Sequence, residues 1–176
     1  LPSEADSLSR RALALAEGTG DVEAELETVA ARHFVLSHPM AIDERTRLAD
    51  RAVALGRTSG SPIGPLWGRL WQADIALQRG QMDRLDAVIV QLGAIAAERS
   101  SILADWHRLR LLAVRAALVG DFAEARNRAA GSARIAHRIG DLSMLGMHAA
   151  FCVQLAMVRG DAQEIPPAAL DLTEQA

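Results

Sequence analysis

The sequence predicts an all-α protein, a right-handed α-solenoid of antiparallel helix pairs with about nine helices. Three observations predict it. Short breaks fall 40 residues apart, at Gly20-Asp21, Gly60-Ser61, Ser100-Ser101 and Gly140-Asp141. A second set lies midway, at Gly80-Gln81, Gly120-Asp121 and Gly160-Asp161, with Pro39-Met40 in the slot where that series begins. The apolar half of the composition is mostly Ala, Leu, Ile and Val, and Tyr is absent, which suits close-packed helices better than sheet. A fixed period in this range marks one supersecondary unit stacking on copies of itself.

The breaks delimit helices near 3–18, 21–38, 42–58, 62–79, 82–98, 101–119, 122–139, 141–159 and 162–175. The first ends in the Gly18 to Gly20 region. The second carries Leu26, Val29, Ala30 and His33 at helical spacing, and the third carries Leu48, Ala52 and Leu55. Pro62 and Pro65 fall in the first turn of the fourth, where a missing donor does little harm. Leu92 and Ile95 mark the inner face of the fifth, and Leu109, Leu112, Ala113 and Ala116 that of the sixth. At the remaining junctions Gly supplies a left-handed residue that ends one helix, and Asp or Ser caps the next. Helices starting at 21, 62, 101 and 141 are termed A, the others B. Stacking B helices by 40 residues gives a core column Leu15, Leu55, Ile95, Ile135, beside a mainly small one, Ala16, Gly56, Ala96, Ala136. The A helices give Leu36, Ala76, Ala116, Ala156. Small residues at fixed heights let helices approach closely.

Net charge is −3, and all 19 basic residues are Arg interspersed with acids, so no basic stripe is offered to nucleic acid. This usage fits a high-GC, actinobacterial genome. Cys152 is the single cysteine and forms no internal disulfide, and no basic-then-apolar leader or apolar run near ~20 residues is present; a cytoplasmic protein without a membrane segment is expected. The chain begins at Leu1, not Met, and its last segment is a partial repeat, so residues 1–176 read as one repeat domain excised from a longer protein.

Chemistry is sparse. His33 and His38 stand five apart on the second predicted helix and point in different directions, His107, His137 and His148 lie on three others, and without an i, i+4 histidine pair no metal site is expected. Cys152 sits among Phe151, Val153, Leu155 and Ala156 as a small hydrophobe. There is no Gly-x-Ser-x-Gly elbow, phosphate-binding loop or Gly-x-Gly-x-x-Gly, so neither catalysis nor a cofactor is expected of this segment. Arg108, Arg110 and Arg115 fall on different helix faces and read as solvated surface against a phosphate site. Trp67 and Trp71, i and i+4, cover one face of an A helix.

Gly120-Asp121-Phe122-Ala123-Glu124-Ala125 resembles the tetratricopeptide inter-helix turn, Gly-Asp-aromatic followed by Ala, and Ala73 and Ala113 fall where that pattern wants a small residue. The period departs from the tetratricopeptide value, each helix being longer by about one turn. This longer variety is similar to the helical segment of large actinobacterial regulators that join an ATPase module to a LuxR-type helix-turn-helix, and Leu48 to Leu55 followed by Gly60-Ser61-Pro62, then Leu66 to Trp71, have that look. The resemblance implies a concave groove lined by A helices, with Phe34, Trp67, Leu70, Asp74, Leu77, His107, Arg110, Val114, Met147, Gln154 and Met157 as groove positions. It implies a non-catalytic sensor and interaction domain of a transcriptional regulator. A protein or peptide partner, or a small-molecule inducer, would occupy the groove, and neighbouring domains of the parent chain would be further partners. A free peptide-binding adaptor, or a helical regulatory domain of an enzyme such as a nucleotide cyclase or kinase, are the alternatives. On this scheme Trp67 is partly exposed while Leu55, Ile95 and Ile135 are buried.

Overall fold

The computed structural model describes residues 4–61 and 63–161. Among these it contains eight α-helices: α1 (Glu4–Glu17), α2 (Val22–Val35), α3 (Ile42–Ser59), α4 (Ile63–Gln78), α5 (Met82–Arg99), α6 (Ile102–Leu118), α7 (Phe122–Ile139) and α8 (Leu142–Arg159), with one 3-10 turn at Pro39–Ala41. There is no strand among the described residues. The ninth expected helix, 162–175, lies outside them. The chain forms two compact units, one up to Leu92 and one from Gly93.

The junctions follow from their residues. Gly20, Gly60, Gly80, Gly120, Gly140 and Gly160 all have φ between 65 and 81°, the left-handed region. The following amide then bonds back to the carbonyl five residues earlier: Gln81 N–H to Ala76 at 2.8 Å, Ser101 to Ala96 at 3.1 Å, Asp121 to Ala116 at 3.0 Å, Asp141 to Ala136 at 3.2 Å and Asp161 to Ala156 at 3.0 Å. This Schellman closure recurs every 20 residues from Ala76 to Ala156, on an alanine carbonyl each time, whereas Asp21 N–H donates to Thr19 Oγ1 and Ser61 N–H to Ser59 Oγ. The next helix is capped at once. Asp21 accepts from Glu23 and Ala24 N–H, Ser101 from Ala104, Asp121 from Glu124, and Asp141 from Ser143 and Met144. Ser100, at φ 50°, takes the left-handed position where its counterparts are glycine.

Gly120 gives a clean test of this scheme, because a Cβ there meets nothing within 4 Å and only the backbone dihedral of +81° penalises a side chain. Gly120→Val should lower stability by roughly 1–3 kcal/mol. Gly18→Val, at a helix end without such a dihedral, should cost less. Equal melting temperatures for the two variants would contradict the turn assignment.

Two departures from expectation have local causes. The second helix stops at Val35, three residues early, because the residue before Pro39 is driven extended; His38 has φ −86° and ψ 149°. Leu15, expected in the core column, is 72% exposed. Its helix packs on α2, and the apolar face it shares with that neighbour is carried by Leu13 and Ala16 instead.

In the first unit α1 packs on α2, α2 on α3, and α3 on α4. Val29, Leu36, Leu48, Ala49, Ala52, Leu55, Trp71 and Ile75 form the core. The α3–α4 approach is unusually close. A Cβ at Gly68 would lie 2.6 Å from Val53 Cγ2 and 2.8 Å from the Ala49 carbonyl, and one at Gly56 would collide with the Pro65 ring. At Gly56 the small column of the sequence therefore marks a close approach of α3 and α4. In the second unit α6 packs on α7 and α7 on α8 around Trp106, Ile135, Ala136 and Met144. Leu55 and Ile135 are buried and Ile95 is half-buried. Helix α8 is long and apolar enough, by length and composition, to cross a membrane, with mean hydropathy 1.3 over its 18 residues. This helix packs against α7.

Candidate functional site

In the second unit α6, α7 and α8 line a cavity of about 230 Å³ that opens to the surface. Four residues nominated from sequence line it: Arg110 and Val114 from α6, Met147 and Gln154 from α8. Their spacing explains the convergence. Positions four apart on α6 and seven apart on α8 repeat on one helix face. The walls are completed by Ala113, by Ala129 and Ser132 of α7, and by His148, Ala150 and Phe151 of α8. Small residues on α7 leave the space; Ser132 turns its hydroxyl inward to donate to the Ala129 carbonyl at 2.8 Å.

Arg110 is the chemical centre of this lining. Its guanidinium stands 4.6 Å over the Trp106 ring, and one Nη donates to His107 Nδ1 at 3.2 Å. The acceptor role fixes the neutral His107 tautomer with its proton on Nε2. Burial, and then the neighbouring Arg110 charge, hold His107 at a pKa of about 4. Burial pulls Arg110 below its ordinary value as well, and no acidic side chain acts against that shift. Arginine nonetheless stays charged at any physiological pH. Among the described residues no carboxylate lies within ion-pair range of Arg110, and neither Asp nor Glu lines the cavity. The expectation of a solvated Arg110 is thus corrected, since it is half-buried against an indole; Arg108, by contrast, pairs with Asp105 at 2.7 Å.

Beside the cavity, Cys152 Sγ lies 3.6 Å from His148 Nε2. Burial raises the thiol pKa and lowers that of the imidazole, the second effect aided by His137, so the pair rests as neutral thiol and neutral ring. That is the opposite of what an activated thiolate needs. The i, i+4 spacing of His148 and Cys152, which puts both on one face of α8, is visible in the sequence. No group of three or more potential metal ligands occurs among the described residues.

The other nominated positions are placed differently. His107 is 8% exposed and packs edge-on against Trp106 at 4.6 Å, so it presents no ring to a surface. Met157 is 73% exposed on α8 and does not line the cavity. In the first unit Trp67 is 38% exposed, whereas Trp71 is buried and stacks on His33 at 4.2 Å. Phe34 is exposed and stands edge-on to Trp71 at 6.4 Å. Asp74 accepts from Arg45 and from Gln78 at 3.1 Å, and Leu70 and Leu77 are half-buried on the same helix. Ala129 and Ser132 escaped sequence reasoning because the groove was assigned to A helices, and α7 is a B helix.

Compared with protein-family models, curated proteins and solved structures, the chain matches none.

Proposed function

We propose that this chain is a non-catalytic, tetratricopeptide-like segment of a right-handed α-solenoid that serves as the sensor and interaction domain of a larger cytoplasmic transcriptional regulator, actinobacterial in origin. The 40-residue recurrence of glycine closures and Asp or Ser caps supports the repeat architecture. The observation that carries the sensing role is the cavity between α6, α7 and α8, with one cation set in apolar walls. Such a lining has a few polar groups to orient a ligand and no nucleophile–base pair to transform it. Solenoid repeats touch only their neighbours, so a ligand wedged among three helices biases their packing and transmits occupancy along the chain.

The test uses the parent reading frame. It should encode a phosphate-binding loop and a helix-turn-helix outside this segment. Ala150→Trp fills the cavity from an exposed wall position. In the parent regulator this variant should lose its inducer response and keep operator binding. A parent without either module, or an unchanged response, would refute the proposal.

A further inference from the structure

We infer that the cavity between α6, α7 and α8 takes a small monoanionic carboxylate with an apolar body, its carboxylate held by Arg110. The inference rests on the reading of this cavity as a ligand site and adds the chemistry of the ligand.

Charge decides the head group. Among the described residues, Arg110 lines the cavity without a carboxylate in ion-pair range, and no acid is part of the lining. A half-buried guanidinium without a counter-charge gains more from an anion than an exposed one does, because its hydration is already reduced. The Trp106 face and His107 Nδ1 hold the guanidinium in place, which preserves its fork for two parallel bonds to one planar acceptor. His148 is held neutral by burial, so among the described lining residues Arg110 is the single cation. One charge matches a monoanion; a phosphate dianion would leave a charge and most of its acceptor oxygens unanswered.

The walls decide the body. Val114, Met147, Ala150 and Phe151 give an aliphatic and aromatic surface beside the charge. An apolar cavity of about 150 Å³ accepts benzene. At about 230 Å³ this one has room for a ring and a carboxylate together.

The experiment is an NMR titration of the full chain with phenylacetate, using 2-phenylethanol as the uncharged counterpart and acetate as the anion without a body. The Trp106 indole N–H, assigned by loss in Trp106→Phe, is the reporter, since its ring contacts Arg110. Phenylacetate should shift it saturably, and the alcohol and acetate should each bind at least about tenfold more weakly. Arg110→Met should weaken phenylacetate roughly 10- to 100-fold, while Arg110→Lys, which keeps the charge and loses the fork, should fall between. Far-UV circular dichroism checks that both variants stay helical, and if Arg110→Met does not, Arg110→Lys and the alcohol decide. Equal affinity for acid and alcohol, an Arg110→Met or Arg110→Lys variant as tight as the parent, or no saturable shift with phenylacetate would overturn the inference. If Ala150→Trp still abolished the inducer response in that case, the sensor reading would survive and only the carboxylate chemistry would fall.

Discussion

Replacing Trp106 by alanine should destabilise the protein by about 3–5 kcal/mol, the range for truncating a large aromatic in a packed core. Trp106 is 1% exposed and sits against Ile135, Ala136 and Met144, so nothing nearby can collapse into the space without moving α7 or α8. Trp106→Phe separates the causes. The indole N–H has no hydrogen-bond partner, so the smaller ring gives up volume but also removes a buried orphan donor. Its cost should be well under half that of the alanine variant in urea unfolding. Trp67→Ala is the contrast, since Trp67 is 38% exposed and should lose little. If Trp67→Ala proved the less stable, the burial pattern described above would be wrong.

Acidification should unfold the protein through two histidines before the carboxylates take over. Burial holds His33 at a pKa of about 4, aided by Arg45 and opposed by Asp74, and His107 at about 4 for burial and then Arg110. Both are neutral in the folded state, whereas the unfolded chain binds their protons below about 6.5. The unfolded state therefore takes up more protons as pH falls through that window. Stability is complete above pH 6.5 and declines toward pH 4, by on the order of 3 kcal/mol for each histidine. His33→Phe keeps a flat ring against Trp71 and removes one proton site. Its denaturation midpoint should fall less steeply between pH 6.5 and 4 than the parent's. Parallel profiles would show that His33 is not buried neutral.

The fold was legible where backbone chemistry dictates it. A left-handed glycine followed by Asp or Ser has few other structural uses, so the junctions and seven of the eight helix ends could be placed to within a residue or so. The second helix end was missed because it is set by Pro39 acting backward on His38, and not by a glycine. Side-chain environments were less legible. Arg110 looked solvated because helix-wheel reasoning sees one helix, while the walls around it are completed by α7 and α8. His107 looked like groove lining by register, yet a ring next to an indole and a guanidinium is drawn inward by both. Val114, Met147 and Gln154 came from the tetratricopeptide resemblance, whereas Ser132 and Ala129 contribute by being small, and a short side chain leaves little trace in a sequence pattern.

The repeated closure on Ala76, Ala96, Ala116, Ala136 and Ala156 limits how such a chain can change in length. Helix α7 begins within two residues of the glycine that ends α6, so no slack is available at that joint. One inserted residue inside a helix turns everything after it by about 100°, carrying an apolar face from the interior to water. Tolerated growth or loss is therefore quantised in whole helix pairs. Related genes should differ by in-frame duplications and deletions of 40 codons, and recombination breakpoints should gather at the glycine codons.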